Sequence, residues 1–142
     1  MTRTQIEAAI PHRPPMLLVD EIVRQDEQGI LCRKTFHADE YFFQGHYPGQ
    51  PIVPGVILCE AAMQAGAVLL ASHLQGVQGV PVATRLDSVK FKQIVRPGDM
   101  VELDVKLNER VSDAFFLTAK VTLAGKLAAR LDFACTLAQV TA

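Results

Sequence analysis

The sequence predicts an α+β domain in which one antiparallel sheet curls around a single long buried helix. Three observations lead there. The run Val56 to Leu74 is 19 residues long, almost wholly apolar, and carries one formal charge. Two strand-like segments precede it and four follow it. The connectors among those last four are short, as an antiparallel meander requires.

Each element has its own local reason. Thr4 to Ala9 fits a short amphipathic helix, stopped by Pro11. Met16 to Val23 (MLLVDEIV) reads as a strand, and Gly29 to His37 as a second one behind the turn residues Gln25 to Gln28. Asp39 to Pro54 holds three prolines and two glycines and reads as an irregular loop. Pro54 then marks the start of the long helix, a position proline favours. Gly76, Gly79 and Pro81 mark its end. Val82 to Gln93, Met100 to Arg110, Ala114 to Leu123 and Lys126 to Ala138 read as strands, joined by Arg96-Pro97-Gly98-Asp99, Val111-Ser112-Asp113 and Ala124-Gly125. A sheet with one apolar helix buries both by wrapping the helix, which is the hot-dog arrangement. The pattern also admits another α-plus-β sandwich. One helix leaves the sheet edges open, so edge-to-edge pairing into a dimer is expected.

Bulk properties narrow the class. The 142 residues, Met1 to Ala142, are read as a single domain. With 49% hydrophobic residues, 20% charged residues and 7 Phe, a disordered chain is excluded. A formal charge of -1 gives no bulk attraction for nucleic acid. Cys32, Cys59 and Cys135 are odd in number and form no CxxC pair, which points away from disulfides and zinc and towards a reducing, cytoplasmic compartment. Met1 to Ile10 has no apolar signal region. The 19-residue apolar run is long enough to span a bilayer. Glu60 and Gln64 lie inside it and no basic flank marks its ends, so it is read as a buried helix.

The chemistry concentrates in Gly45 to Gln64, GHYPGQPIVPGVILCEAAMQ. His46 sits in the Pro- and Gly-rich loop and suits a general base near neutral pH. Glu60 lies one to two turns into the apolar helix, where desolvation would favour its protonated, proton-giving form. Gly55 falls at the helix N-terminus, where a free N–H and the helix dipole can polarise a carbonyl oxygen. Gln64 shares a helical face with Glu60 and can hold its carboxyl. A base, an acid and a carbonyl-polarising amide are what β-elimination beside a thioester needs.

This segment resembles the active-site region of the β-hydroxyacyl-acyl carrier protein dehydratases of type II fatty acid synthesis. Pro11-His12-Arg13-Pro14-Pro15-Met16-Leu17-Leu18-Val19-Asp20, Lys90-Phe91-Lys92 and Arg96-Pro97-Gly98-Asp99 extend the likeness over most of the chain. The resemblance implies His46 as the base for the α proton, Glu60 as the acid at the departing hydroxyl, the Gly55 amide at the thioester carbonyl, and Gln64 supporting Glu60. It also implies a dimer, often assembled into a hexamer as a trimer of dimers, with His and Glu from different subunits. No metal or cofactor is implied. Glu60, where the dehydratase-isomerase branch carries Asp, points to a plain dehydratase yielding trans-2-enoyl product. Tyr47, Val53 and Ala128-Ala129-Arg130 depart from the family pattern and leave chain-length preference open.

Plainer roles stand beside these. His46 can be a structural loop histidine, Glu60 a paired buried carboxylate, Gln64 an ordinary polar helix residue, and Gly55 only a helix-start glycine. His12 and Arg13 are read as anchors of the N-terminal loop. His37 and His73 are read as partly exposed or core residues. Cys59 is read as core packing, because an apolar helix raises a thiol's pKa. Arg85, Lys90, Lys92 and Arg96 form either a patch that steers the acidic carrier protein or an ordinary solvated strand edge. Two other functions remain open: a hot-dog hydratase or thioesterase acting on coenzyme A thioesters, and a non-catalytic subunit that binds acyl chains.

Overall fold

The computed structural model describes residues 3–139. The ends of the expected 1–142 domain, residues 1–2 and 140–142, lie outside them. The elements run α1 (Arg3–Ala9), β1 (Glu21–Gln25), β2 (Gly29–Thr35), a short 3-10 turn (Tyr41–Phe43), α2 (Gly55–Ala71), β3 (Val80–Phe91), β4 (Met100–Val111), β5 (Ala114–Leu123) and β6 (Lys126–Ala138). The six strands form one antiparallel sheet in the order β1-β2-β4-β5-β6-β3. The sheet wraps α2, and the expected hot-dog architecture is the observed one.

Alternation explains the layering. In β2, β4 and β5 buried residues alternate with more exposed ones, so one face of each strand meets α2. Val101, Leu103, Val105, Phe115, Leu117, Ala119 and Val121 form the floor of the core. On α2, Leu58, Ala61, Ala62, Ala65, Leu69 and Leu70 are buried against it. The helix is 17 residues long, and no helix among the described residues is long and apolar enough to cross a membrane.

Gly66 sets how closely helix and sheet approach. A Cβ there would lie 2.8 Å from Cζ of Phe133 and 3.4 Å from Cδ2 of Leu117. Both neighbours are buried core residues, so neither can simply swing aside. Gly66→Ala therefore overpacks the core and is expected to lower stability by about 1–3 kcal/mol despite alanine's better helix propensity. Denaturant unfolding checks this; unchanged or raised stability refutes the packing argument.

The start of the first strand and the end of the long helix differ from the sequence expectation for a physical reason. Met16 to Val23 is not one strand. The sheet begins at Glu21, because Leu17, Leu18 and Val19 are buried in succession instead of alternating. Their segment lies over α2, where Met16 and Leu18 bond the Gln64 side chain. The long helix also stops earlier than its apolar run. Its last helical residue is Ala71, and the Ser72 hydroxyl donates to the Leu69 carbonyl at 2.9 Å. The N-H groups of Ser72, His73 and Leu74 then bond the carbonyls of Leu69, Leu70 and Ala71, tightening the chain into turns.

Candidate active site

Glu60 lies in the second turn of α2, and its carboxyl opens into a cleft of about 840 Å³. The walls are largely apolar, with Met63, Ala67, Val68 and Ala71 from α2 and Val80 and Val82 from β3. The Glu60 side chain is 29% exposed. One chain alone thus does not desolvate it as the apolar run suggested; its helical face looks onto the cleft and not into the core.

Gln64, one turn further along, is almost wholly buried. Its Nε2 donates to Glu60 Oε2 at 2.9 Å and to the Met16 carbonyl at 2.8 Å. Its Oε1 accepts the Leu18 N-H at 2.7 Å. That last bond fixes which end of the amide is oxygen. The carboxyl of Glu60 is therefore tied through α2 to the segment that crosses it.

Gly55 is the first residue of α2, after Pro54 at φ -57° and ψ 136°. Its N-H belongs to the helix end that has no intrahelical acceptors, where the dipole is positive. The Phe91 ring on β3 lies so close that a Cβ on residue 55 would stand 2.8 Å from Cε1 and 2.9 Å from Cζ. Glycine here does more than start a helix. It lets an aromatic ring lie against the helix N-terminus.

His46 lies in the loop between β2 and α2, and its peptide bond to Tyr47 is cis. Its Nδ1 is 3.1 Å from the Ile52 carbonyl, and the Ile52 N-H bonds the His46 carbonyl at 2.9 Å. A carbonyl can only accept, so Nδ1 carries the proton and Nε2 keeps its lone pair. The ring stacks on Tyr47 at 4.2 Å. The loop is held at its start by the buried Lys34, whose Nζ donates to Glu40 Oε1 at 2.9 Å. Glu40 Oε2 in turn accepts the His37 N-H.

His46 is not among the residues lining the cleft into which Glu60 opens. The imidazole that meets Glu60 within one chain is that of His12, with Nε2 3.8 Å from Oε2. The sequence reading passed over His12 as a loop anchor. Arg13 does serve as one, donating to the carbonyls of Glu7, Ile10 and His12. His12 points instead into the cleft. Its place in the Pro11-Pro15 segment was the available signal, but nothing local says which way the ring turns.

The other candidates fall elsewhere. Cys59 is buried and burial raises its thiol pKa, so it is no nucleophile. His37 is exposed, and His73 Nε2 lies 2.7 Å from the Glu27 carbonyl, joining the end of α2 to the β1–β2 turn. Arg85, Lys90, Lys92 and Arg96 are all exposed, on β3 or the turn beyond it. Arg85 Nε is already paired with Asp87 at 2.6 Å.

An antiparallel sheet around one helix, with a carboxyl opening from that helix into an apolar cleft, is the hot-dog class of protein. Solved structures bear out the fold. The dehydratase heterocomplex ApeI:P from Xenorhabdus doucetiae matches with a TM-score of 0.78 at 14% identity, covering 94% of this chain and 91% of that one. The PaaI protein of E. coli matches with a TM-score of 0.66 at 19% identity, covering 82% and 81%. The ApeI-like family, described as ApeI dehydratase, matches residues 22–129. Among curated relatives, the 3-hydroxyacyl-[acyl-carrier-protein] dehydratase FabZ of Oenococcus oeni is 39% identical over 133 residues, 93% of this chain and 96% of that protein. The protein of the same name from Syntrophobacter fumaroxidans is 36% identical over 138 residues, 96% and 94% of the two chains. The chain belongs to the β-hydroxyacyl-acyl carrier protein dehydratase family.

Proposed function

We propose that this enzyme removes water from β-hydroxyacyl groups carried on acyl carrier protein, leaving trans-2-enoyl thioesters, as part of fatty acid biosynthesis. The observation that carries the reading is the Glu60 carboxyl, held by Gln64 and opening into a largely apolar cleft of about 840 Å³. In the proposed step the Nε2 of His46 takes the α proton. The electrons of that C-H bond become the C=C bond as the β C-O bond breaks. Glu60 gives its proton to the departing hydroxyl, which leaves as water. The Gly55 N-H receives the charge that builds on the thioester oxygen.

The site is complete only with a second copy. His46 lies off the cleft of its own chain, and β3 is an edge strand of 12 residues with Leu86, Val89 and Phe91 exposed along it. The opposite edge, β1, is short and broken by a bulge. A long open edge that carries exposed apolar side chains invites pairing with an identical strand. A homodimer joined through β3, with His46 delivered to the partner's Glu60, satisfies both facts; a trimer of such dimers, a hexamer, leaves the site unaltered. The buried free thiols of Cys32, Cys59 and Cys135 suit the cytoplasm.

Crotonyl and hydroxybutyryl thioesters, offered on carrier protein and on coenzyme A, test the reading. Interconversion of hydroxyacyl and enoyl forms is expected. Release of free thiol would instead mark a thioesterase, and binding without turnover a non-catalytic subunit. Of the basic residues, Lys90, Lys92 and Arg96 are proposed to steer the acidic carrier, with the Asp87-paired Arg85 contributing less. Lys90→Glu with Lys92→Glu should lower kcat/KM on carrier-bound substrate by about tenfold or more at low salt and leave short coenzyme A substrates nearly unchanged. An equal loss on both substrates, or none, refutes the steering role.

A further inference from the structure

We propose that His12 is a positioning residue for Glu60, one that reserves a single oxygen of that carboxyl for the acid proton. The proposal rests on the dehydratase reading above and adds a residue to it. Three observations meet at one point. Gln64 Nε2 donates to Oε2 of Glu60 at 2.9 Å. His12 Nε2 faces the same oxygen at 3.8 Å, and His12, Glu60 and Gln64 all line the cleft. The other ring nitrogen, His12 Nδ1, is buried and has no hydrogen-bond partner among the described residues.

The orphaned nitrogen decides the tautomer. A buried N-H with no acceptor leaves a strong donor unsatisfied, whereas a bare lone pair in the same place costs less. The proton of the neutral ring therefore sits on Nε2, aimed at Glu60. Oε2 then faces two N-H donors, accepting a hydrogen bond from Gln64 at 2.9 Å while the His12 N-H points at it from 3.8 Å. An oxygen so engaged is a poor seat for a proton. The acid proton of Glu60 is left to Oε1, the oxygen free to face the cleft and the substrate's hydroxyl.

At 3.8 Å the contact is longer than a hydrogen bond. Active-site hydrogen bonds are often long in the absence of substrate and close only in the substrate complex, and we assign that behaviour to this contact. The charged groups around His12 are few. Glu60 faces it from α2, and Arg13, the next residue, is paired with Glu7 of α1 at 3.4 Å.

His12→Gln and His12→Met decide the matter, since the two side chains have similar size and reach but only glutamine can donate an N-H. His12→Met is expected to lose between about 10- and 100-fold in kcat with KM changed little, as for a misplaced catalytic group. His12→Gln is expected to recover most of that loss. Circular dichroism and the oligomeric state of both variants are measured alongside. Equal activity of the two variants, whether both high or both low, overturns the role. Glu60→Gln, assayed in parallel, keeps the two levels apart. If Glu60→Gln is inactive while His12→Met is fully active, only the role of His12 falls; if Glu60→Gln is itself active, the dehydratase mechanism falls and the role with it.

Discussion

Glu60→Gln is expected to lower kcat by about 10²- to 10⁴-fold, the usual contribution of a positioned acid, and His46→Ala to do at least as much. Both should keep their fold. Glutamine matches glutamate in shape, and its oxygen can still accept the Gln64 N-H now made to Oε2. What it lacks is a transferable proton. His46 lies in a loop, half-buried, where its ring stacks on Tyr47 and bonds the Ile52 carbonyl. Losses in kcat with little change in KM are the expected signature of groups that act in the transition state. Rates near wild type for both variants would end the proposed mechanism.

The second large effect comes from mixing the two inactive proteins. If His46 of one copy serves the Glu60 of the other, a mixed dimer of His46→Ala and Glu60→Gln chains collects both defects in one site. Its other site is then intact. Random assortment of two chains across a two-fold interface makes half the dimers mixed, each with one working site, so about a quarter of wild-type activity should return. Co-expression or refolding of the mixture, followed by the enoyl-hydroxyacyl assay, measures it. If each chain instead builds its own site, no mixed dimer holds an intact one and activity stays at the level of the separate variants. That outcome would leave the dehydratase reaction standing and refute the shared site.

Much of the fold was legible because its signals are local. The strands Ala114 to Leu123 and Lys126 to Ala138 have the expected bounds, since Ala124-Gly125 turns the chain with both residues at positive φ. Pro54 before Gly55 announced the helix start. The expected end of that helix was less accurate, because an apolar run does not distinguish helix from the buried turns that follow it. β3 starts two residues earlier than expected, because Pro81, taken as a mark of the helix end, lies inside the strand, where an edge position tolerates a proline.

The sequence by itself determined the class of this protein. Its period-2 strands, one all-apolar helix and the His46-Gly55-Glu60-Gln64 spacing are properties of neighbouring residues, and neighbours in sequence impose periodicity and caps. Only the tertiary structure decided what those residues face. It joined Gln64 to the backbone of Met16 and Leu18, turned His12 towards Glu60, and set His46 apart from its own chain's cleft. Such pairings depend on how distant segments cross and on which sheet edge stays open. Periodicity along the chain carries no information about either.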